Sequence, residues 1–209
     1  MTSEYWDRRF QAEGRIWGDS PSRTAVHALE LFRKARVNKV LVPGSGYGRN
    51  SKLFSESGFK VTGIEISPTA YALAQEFDAL TRHFNASALD ISFLAEKYDA
   101  VYCFNVLHLF REQERKRFLQ QCAAKIKDSG LMFFTVFSEK EESYGKGKEV
   151  EKNTFESKPG RPVHYFNESD LKAHFKGMKI LETGMMEDPE DHGAEGPHIH
   201  RLRYIYVRK

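Results

Sequence analysis

The 209-residue sequence holds two cysteines, Cys103 and Cys122, with no metal or redox spacing between them. That excludes a disulfide framework and leaves both as small buried apolar side chains. No uninterrupted apolar run approaches the ~20 residues that a membrane-spanning helix needs. The first residues, Met1-Thr2-Ser3-Glu4-Tyr5-Trp6-Asp7, lack the basic start and apolar stretch of a secretory signal, so a cytoplasmic protein is expected. Charge of one sign is never concentrated. The net charge is +3, and the densest basic run, Arg111 to Lys127, is broken by Glu112 and Glu114. Such a run is a solvated helix face, whereas a nucleic-acid footprint needs clustering. Internal repeats are absent. The expected partner is a small molecule, with no nucleic acid and no membrane, and a monomer or weak homodimer suffices.

Apolar residues at 40% and charged residues at 29% are enough to bury a core within one α/β domain spanning 1–209. A helical stripe of Val26, Leu29, Leu31 and Phe32 lies between Thr24 and Arg36. Lys39-Val40-Leu41-Val42 is a short apolar run ending at Pro43-Gly44, as in a buried parallel strand, and a helix follows from Arg49 through Ser57. The next strand, Lys60 to Ile64, ends at Glu65-Ile66-Ser67-Pro68, where Ser67 can cap a helix and Pro68 fits its first turn. Further strands are expected at Arg82–Ala86, Tyr98–Phe104 and Leu131–Phe137, with a helix from Glu112 to Lys127 between the last two. Strands alternating with helices indicate a doubly wound, mostly parallel Rossmann-like sheet. The stretch from Ser138 to Arg161 is polar and aperiodic, and is expected to be a mobile lid or partly disordered. A helix at Glu168–Phe175 and strands at Lys179–Met186 and Arg201–Val207 complete the pattern. Glu187–His200, rich in acids, glycine and histidine, reads as a loop between them.

The segment Pro43-Gly44-Ser45-Gly46-Tyr47-Gly48 sits between the first strand and its helix. Glycines let the backbone approach a ligand and adopt positive φ. The carboxyl ends of such strands form the ligand crevice of α/β sheets. Alone, this loop is equally a tight strand-to-helix turn. Glu65, about twenty residues after Gly44, strengthens the ligand reading, because an acid there accepts from both ribose hydroxyls. It also suits a helix N-terminus, where the dipole favours a negative charge. The third glycine of the dinucleotide fingerprint would fall at Arg49, and the chain lacks a second mononucleotide-binding half. A nicotinamide-dependent oxidoreductase is therefore the weaker alternative, alongside a non-catalytic binding protein.

These residues together resemble a class I S-adenosylmethionine-dependent methyltransferase, and more narrowly the thiopurine methyltransferase and tellurite-resistance group. Tyr5-Trp6-Asp7-Arg8-Arg9-Phe10 with Ile16-Trp17-Gly18 is similar to that group's N-terminal cap. Val40-Leu41-Val42-Pro43-Gly44-Ser45-Gly46 resembles its first cofactor motif, Val61 to Ser67 its ribose motif, and Asn85 to Ile91 its adenine loop. The resemblance implies a seven-stranded sheet with an antiparallel last strand, and S-adenosylmethionine as donor with S-adenosylhomocysteine as product. It implies cofactor contacts from Trp6, Trp17, Pro43, Gly44, Ser45, Gly46, Gly48, Asn50, Glu65, Ile66, Ser87, Ala88 and Asn105. Where thiopurine enzymes tend to carry an arginine, this chain has Phe104. Residues 1–36 would form a cap segment and helix, and 138–165 a polar lid. The acceptor implied is a thiol, thiopurine or chalcogen species.

For chemistry, His192, His198 and His200 cluster near the end, and an i, i+2 pair shares a face if the chain is extended. With Asp188, Glu190 and Asp191 they could hold a metal, but no paired ligand spacing supports it and none is expected. A solvated loop is the plainer reading. By the resemblance, His192 leads as the acceptor-facing group, followed by His200 and Arg201, then Arg203. His108, after the fourth strand, could face the acceptor or be a satisfied buried histidine. Glu141, Glu142 and Tyr144 could form part of the lid, although solvated loop charge is favoured.

Overall fold

A computed structural model describes residues 3–191 and 196–209, with Asp191 described by its backbone alone. Among the described residues, ten strands and six α-helices follow one another. The main sheet has the order β3-β2-β1-β4-β5-β10-β9, formed by β1 (Lys39–Pro43), β2 (Lys60–Glu65), β3 (Arg82–Asn85), β4 (Tyr98–Phe104), β5 (Ile126–Phe137), β9 (Lys179–Asp191) and β10 (Pro197–Arg208). The first five are mutually parallel, and β10 runs antiparallel to both β5 and β9. The seven-stranded, mostly parallel sheet with its antiparallel last strand is the expected fold.

The apolar strand runs arise because both faces of the sheet are covered. Val40 and Val42 of β1 pack with Phe133 of β5 against Ala25, Ala28, Leu29 and Phe32 of α2 (Arg23–Lys34) and Phe54 of α3 (Arg49–Glu56). The alternate residues Leu41, Met132 and Phe134 face Phe118 and Cys122 of α5 (Glu112–Lys125) and Leu171 of α6 (Glu168–His174). Of the expected α2 stripe, Leu29 and Phe32 are buried while Val26 is exposed. The Ser67 cap forms as read, Oγ accepting from the Ala70 N–H at 3.1 Å ahead of α4 (Pro68–Phe77), and Ser22 Oγ caps α2 in the same way, accepting from the Ala25 N–H at 3.1 Å.

The N-terminal segment, for which the sequence carried no expectation of a helix or strand, is a helix, α1 (Ser3–Glu13). Two segments depart from expectation. Within 138–165, expected to be irregular, β6 (Lys148–Glu151), β7 (Thr154–Lys158) and β8 (Arg161–His164) form a second, antiparallel sheet. Two-residue turns with positive φ at Asn153 and Gly160 make this meander possible. Val163 and Tyr165 pack on Leu109, Phe137 and Leu202, which gives the small sheet its apolar anchor. Finally, the expected loop at 187–200 is largely strand. β9 runs to Asp191 and β10 begins at Pro197, pairing Asp188 with His200 and Glu190 with His198. Among the described residues, no helix is long and apolar enough to cross a membrane.

Candidate functional site

The turn after β1 is fixed by β2. The N–H groups of Gly44 and Ser45 both donate to the Ile64 carbonyl, at 2.7 and 3.0 Å. Gly44 has φ +70°, and a Cβ there would lie 2.3 Å from Val106 Cγ2, so no other residue fits without displacing its neighbour. Next along, the Gly46 N–H donates to Glu65 Oε2 at 2.9 Å, while Glu65 Oε1 accepts from the Ser67 N–H at 2.8 Å. Glu65 thus ties the loop to the start of α4. Burial drives its carboxyl pKa upward, only partly opposed by these backbone donors. Each oxygen retains a further lone pair for a ligand hydroxyl.

The N-terminal helix is docked by Asp7, whose Oδ1 accepts from Ser67 Oγ at 2.7 Å and from the Thr69 N–H at 2.9 Å. Those bonds, the Thr69 N–H foremost, hold the Asp7 carboxyl below its usual range. They also seat an aromatic roof. Trp17 stacks on Tyr47 with centroids 6.2 Å apart, Phe10 meets Trp17 edge-on at 5.7 Å, and Trp6 lies 6.3 Å from Trp17.

Beneath this roof, a cavity of about 440 Å³ runs from the glycine loop to the far ends of β5 and β10. Its size falls within the small-ligand range of ~300–1,000 Å³. It brings together Trp6, Trp17, Gly44, Ser45, Gly46, Asn50, Glu65, Ile66, Ser87, Ala88, Asn105, His108 and His200 of the expected site residues. Pro43, Gly48, Arg201 and Arg203 are not among its lining residues. Gly48 instead precedes α3 with φ +93°. Strand alternation separates Arg201 and Arg203 from His200. Arg203 pairs with Glu139 through Nε at 2.8 Å, and Arg201 Nη1 donates to the Lys140 carbonyl at 3.3 Å. His192 lies outside the described residues.

Several cavity residues also have local roles. Asn50 Oδ1 accepts from the Ser22 N–H at 2.9 Å, which joins α3 to the start of α2. Ser87 Oγ accepts from the Leu89 N–H at 3.2 Å and shapes the turn after β3. Asn105 closes β4 with φ +55°, a conformation asparagine tolerates better than most side chains.

At the far end, His108 is 1% exposed and stacks on Phe137 with centroids 4.1 Å apart. Its Nδ1 accepts from the Phe137 N–H at 3.3 Å, which leaves the proton on Nε2. Burial, aided by the Arg161, His200 and His164 charges, depresses its pKa well below the usual histidine value. His108 is therefore a neutral hydrogen-bond donor.

His200 behaves oppositely. It is 6% exposed, with Nδ1 2.6 Å from Glu141 Oε1 and Nε2 3.5 Å from Glu190 Oε2. Burial works against its charge, but the two carboxylates prevail and push the pKa up to about 9. His198, on the same strand face as expected, places Nε2 2.9 Å from the same Glu141 oxygen.

Glu141, expected to be solvated loop charge, is 4% exposed. Its second oxygen accepts from the Arg201 N–H at 2.7 Å. Arg49 was also unforeseen as a site residue. It is buried, ion-paired with Glu190, and donates to the Trp17 carbonyl at 3.1 Å. Its guanidinium lies 5.4 Å from the Phe104 ring centroid. Its place where the third fingerprint glycine would stand was the available sequence signal.

The family model described as "Methyltransferase domain" matches residues 16–178. A glycine/sarcosine N-methyltransferase from Parasynechococcus marenigrum is 28% identical over 137 residues, covering 61% of this chain and 44% of that protein. The chain spans 44% to 65% of the length of the first curated relatives it matches. Among solved structures, the 1,6-didemethyltoxoflavin-N1-methyltransferase of Burkholderia thailandensis, bound to 1,6-didemethyltoxoflavin and S-adenosylhomocysteine, superposes with a TM-score of 0.73. It is 18% identical and covers 99% of this chain and 86% of that one. TehB from Haemophilus influenzae gives 0.66 at 17% identity, covering 88% and 62%. At these identities the two structures establish a shared fold.

Proposed function

The chain belongs to the methyltransferase-domain family, and from that membership we propose that it transfers a methyl group from S-adenosylmethionine to a small-molecule acceptor. The observation that carries this reading is one cavity joining the Gly44–Gly46 turn and Glu65 to the His108 and His200 end. A donor and an acceptor can meet there out of water.

The donor set fits this cofactor. Glu65 takes the ribose hydroxyls, Ser87 and Ala88 border the adenine, and Asn105 sits beneath the methionyl part. Arg9 and Arg49, both lining the cavity, supply the cation for the cofactor carboxylate that Phe104 cannot. Trp6 and Trp17 close the roof and present aromatic faces that favour a positive sulfonium. When bound, the sulfonium supplies the electrophilic methyl group, so the chain's task is alignment and exclusion of water.

The acceptor end favours an atom that needs no base. His108 Nδ1 is engaged by Phe137, and both ring nitrogens of His200 face carboxylates. A thiolate, thione or chalcogen anion meets that requirement. An amine or phenol would have to surrender a proton. The likeness to the thiopurine and tellurite-resistance group points the same way.

The test is a methyl-transfer screen over thiols, thiopurines, chalcogen oxyanions, amines and phenols, read by formation of S-adenosylhomocysteine. Turnover on the sulfur or chalcogen panel is expected. Turnover confined to amines and phenols would overturn the acceptor assignment, and failure to bind S-adenosylmethionine would overturn the whole reading.

A further inference from the structure

We propose that Glu141, His198 and His200 form a binding site for a divalent transition-metal cation at the acceptor end of the cavity. The role given to the cation rests on the acceptor entering there, as argued above. The site itself stands on geometry.

One ligand atom from each of the three side chains lies within 4.8 Å of the others. The His198 Nε2 and His200 Nδ1 atoms approach the same oxygen, Glu141 Oε1, at 2.9 and 2.6 Å. Around a tetrahedral ion bonded at ~2.0–2.1 Å, ligand atoms sit ~3.3 Å apart. A cation bound there eases each imidazole slightly away from Glu141, and as the metal–nitrogen bond forms the proton that His200 Nδ1 shares with Glu141 passes to water.

The surroundings already orient these ligands. Alternation along β10 puts both histidines on one face, opposite Asp188 and Glu190 of β9. The Glu141 carboxylate cannot swing freely, because Oε2 accepts from the Arg201 N–H at 2.7 Å. The second ring nitrogen of His200 lies 3.5 Å from Glu190 Oε2, and Glu190 is pinned by Arg49. A carboxylate behind a ligating imidazole is the outer-sphere arrangement that fixes ring orientation and raises ligand basicity.

Two imidazoles and one carboxylate suit a borderline cation such as Zn²⁺, Co²⁺ or Fe²⁺ better than Mg²⁺, which prefers an all-oxygen set. Three protein ligands leave coordination positions open, and all three side chains line the cavity. An acceptor oxygen or sulfur takes an open position. If it carries a proton, the metal–acceptor bond forms as the acceptor–hydrogen bond breaks, and the proton passes to water. The cation then does what no described side chain is arranged to do, and holds the acceptor lone pair toward the methyl donor.

The test uses the full chain stripped with a chelator and titrated with Co²⁺, read by its visible ligand-field absorption, then with Zn²⁺ by calorimetry. One equivalent is expected, with nitrogen-ligated Co²⁺ bands that Zn²⁺ displaces. Glu141→Gln and the double variant His198→Ala/His200→Ala should abolish binding. Glu190→Gln should weaken it by ~10- to 100-fold and serves as the gentler variant if the others fail to fold. Binding by wild type below a tenth of an equivalent, or undiminished binding in folded variants, overturns the site. S-adenosylhomocysteine is titrated into the same preparation. A preparation that binds S-adenosylhomocysteine but takes up neither Co²⁺ nor Zn²⁺ overturns this inference alone, while one that takes up metal but not S-adenosylhomocysteine supports the site and removes the methyl-transfer reading.

Discussion

Replacing Gly44 by alanine tests the geometry of the loop directly. Gly44 has φ +70°, and its new Cβ would meet Val106 Cγ2 at 2.3 Å. Holding a non-glycine residue in the left-handed region costs ~1–2 kcal/mol. Relieving the overlap by displacing Val106 costs a further ~1–3 kcal/mol, the usual range for overpacking. Gly44→Ala should therefore destabilise the chain by about 2–5 kcal/mol, a large part of the ~5–15 kcal/mol that folded domains possess. Urea denaturation should show a lower midpoint at unchanged slope. In a Val106→Ala background the offending methyl is gone, so the same substitution should cost only ~1–2 kcal/mol, the left-handed penalty alone. Equal cost in the two backgrounds, or a Gly44→Ala change within ~0.5 kcal/mol of wild type, would refute the reasoning.

Two further outcomes follow from the site and the sheet. Trp17→Ala removes the ring stacked on Tyr47 and should weaken S-adenosylmethionine binding by roughly 2- to 30-fold, the worth of one aromatic–cation contact to the sulfonium; unchanged affinity by calorimetry would count against the roof. Asp99 accepts from the Asn38 and Lys39 N–H groups at 2.9 and 2.8 Å and from Lys127 Nζ at 2.6 Å. Burial pushes its carboxyl up, but Lys127 and the two backbone donors outweigh it and hold the pKa below the usual 3.8. A depressed folded pKa gives stability that is present above the unfolded value and lost as pH falls through the folded one. Asp99→Asn should therefore cost ~1.5–3 kcal/mol at neutral pH, with the gap from wild type closing in acid. A gap that stays constant with pH in denaturant melts would contradict the assignment.

The parallel sheet was legible because its strands are buried on both faces. Val40 to Val42 and Leu131 to Phe137 read as apolar runs, the first ended by Pro43-Gly44, whereas the polar start of β5 at Ile126 lay within the expected helix to Lys127. Ser67-Pro68 announced α4 through its cap. The second sheet was not legible, because β6 to β8 are short and charged and their burial does not alternate, so periodicity is faint. Only the turn residues Asn153 and Gly160 signalled it. Hydropathy misread the end of β9 for a different reason. Asp188 and Glu190 are buried acids, tolerated because Asp188 Oδ1 accepts from the Arg23 N–H at 3.1 Å and Glu190 pairs with Arg49. Such compensation comes from partners more than a hundred residues away. The cavity residues around the loop and Glu65 were readable, since local geometry brings them together. The Glu141–His198–His200 cluster was not, because its members meet only when the β9–β10 hairpin returns beside the end of β5.

Calorimetric titration of the full chain with S-adenosylhomocysteine tests the central claim most directly, with wild type and Glu65→Gln compared under one condition. Wild type should bind one equivalent. Glu65→Gln, confirmed folded by melting, should bind ~10- to 150-fold more weakly, as expected for losing ~1.5–3 kcal/mol of charge-assisted hydrogen bonding to the ribose. Absence of binding by the wild type, or equal affinity in the two proteins, would contradict the assignment of this cavity to the methyl donor.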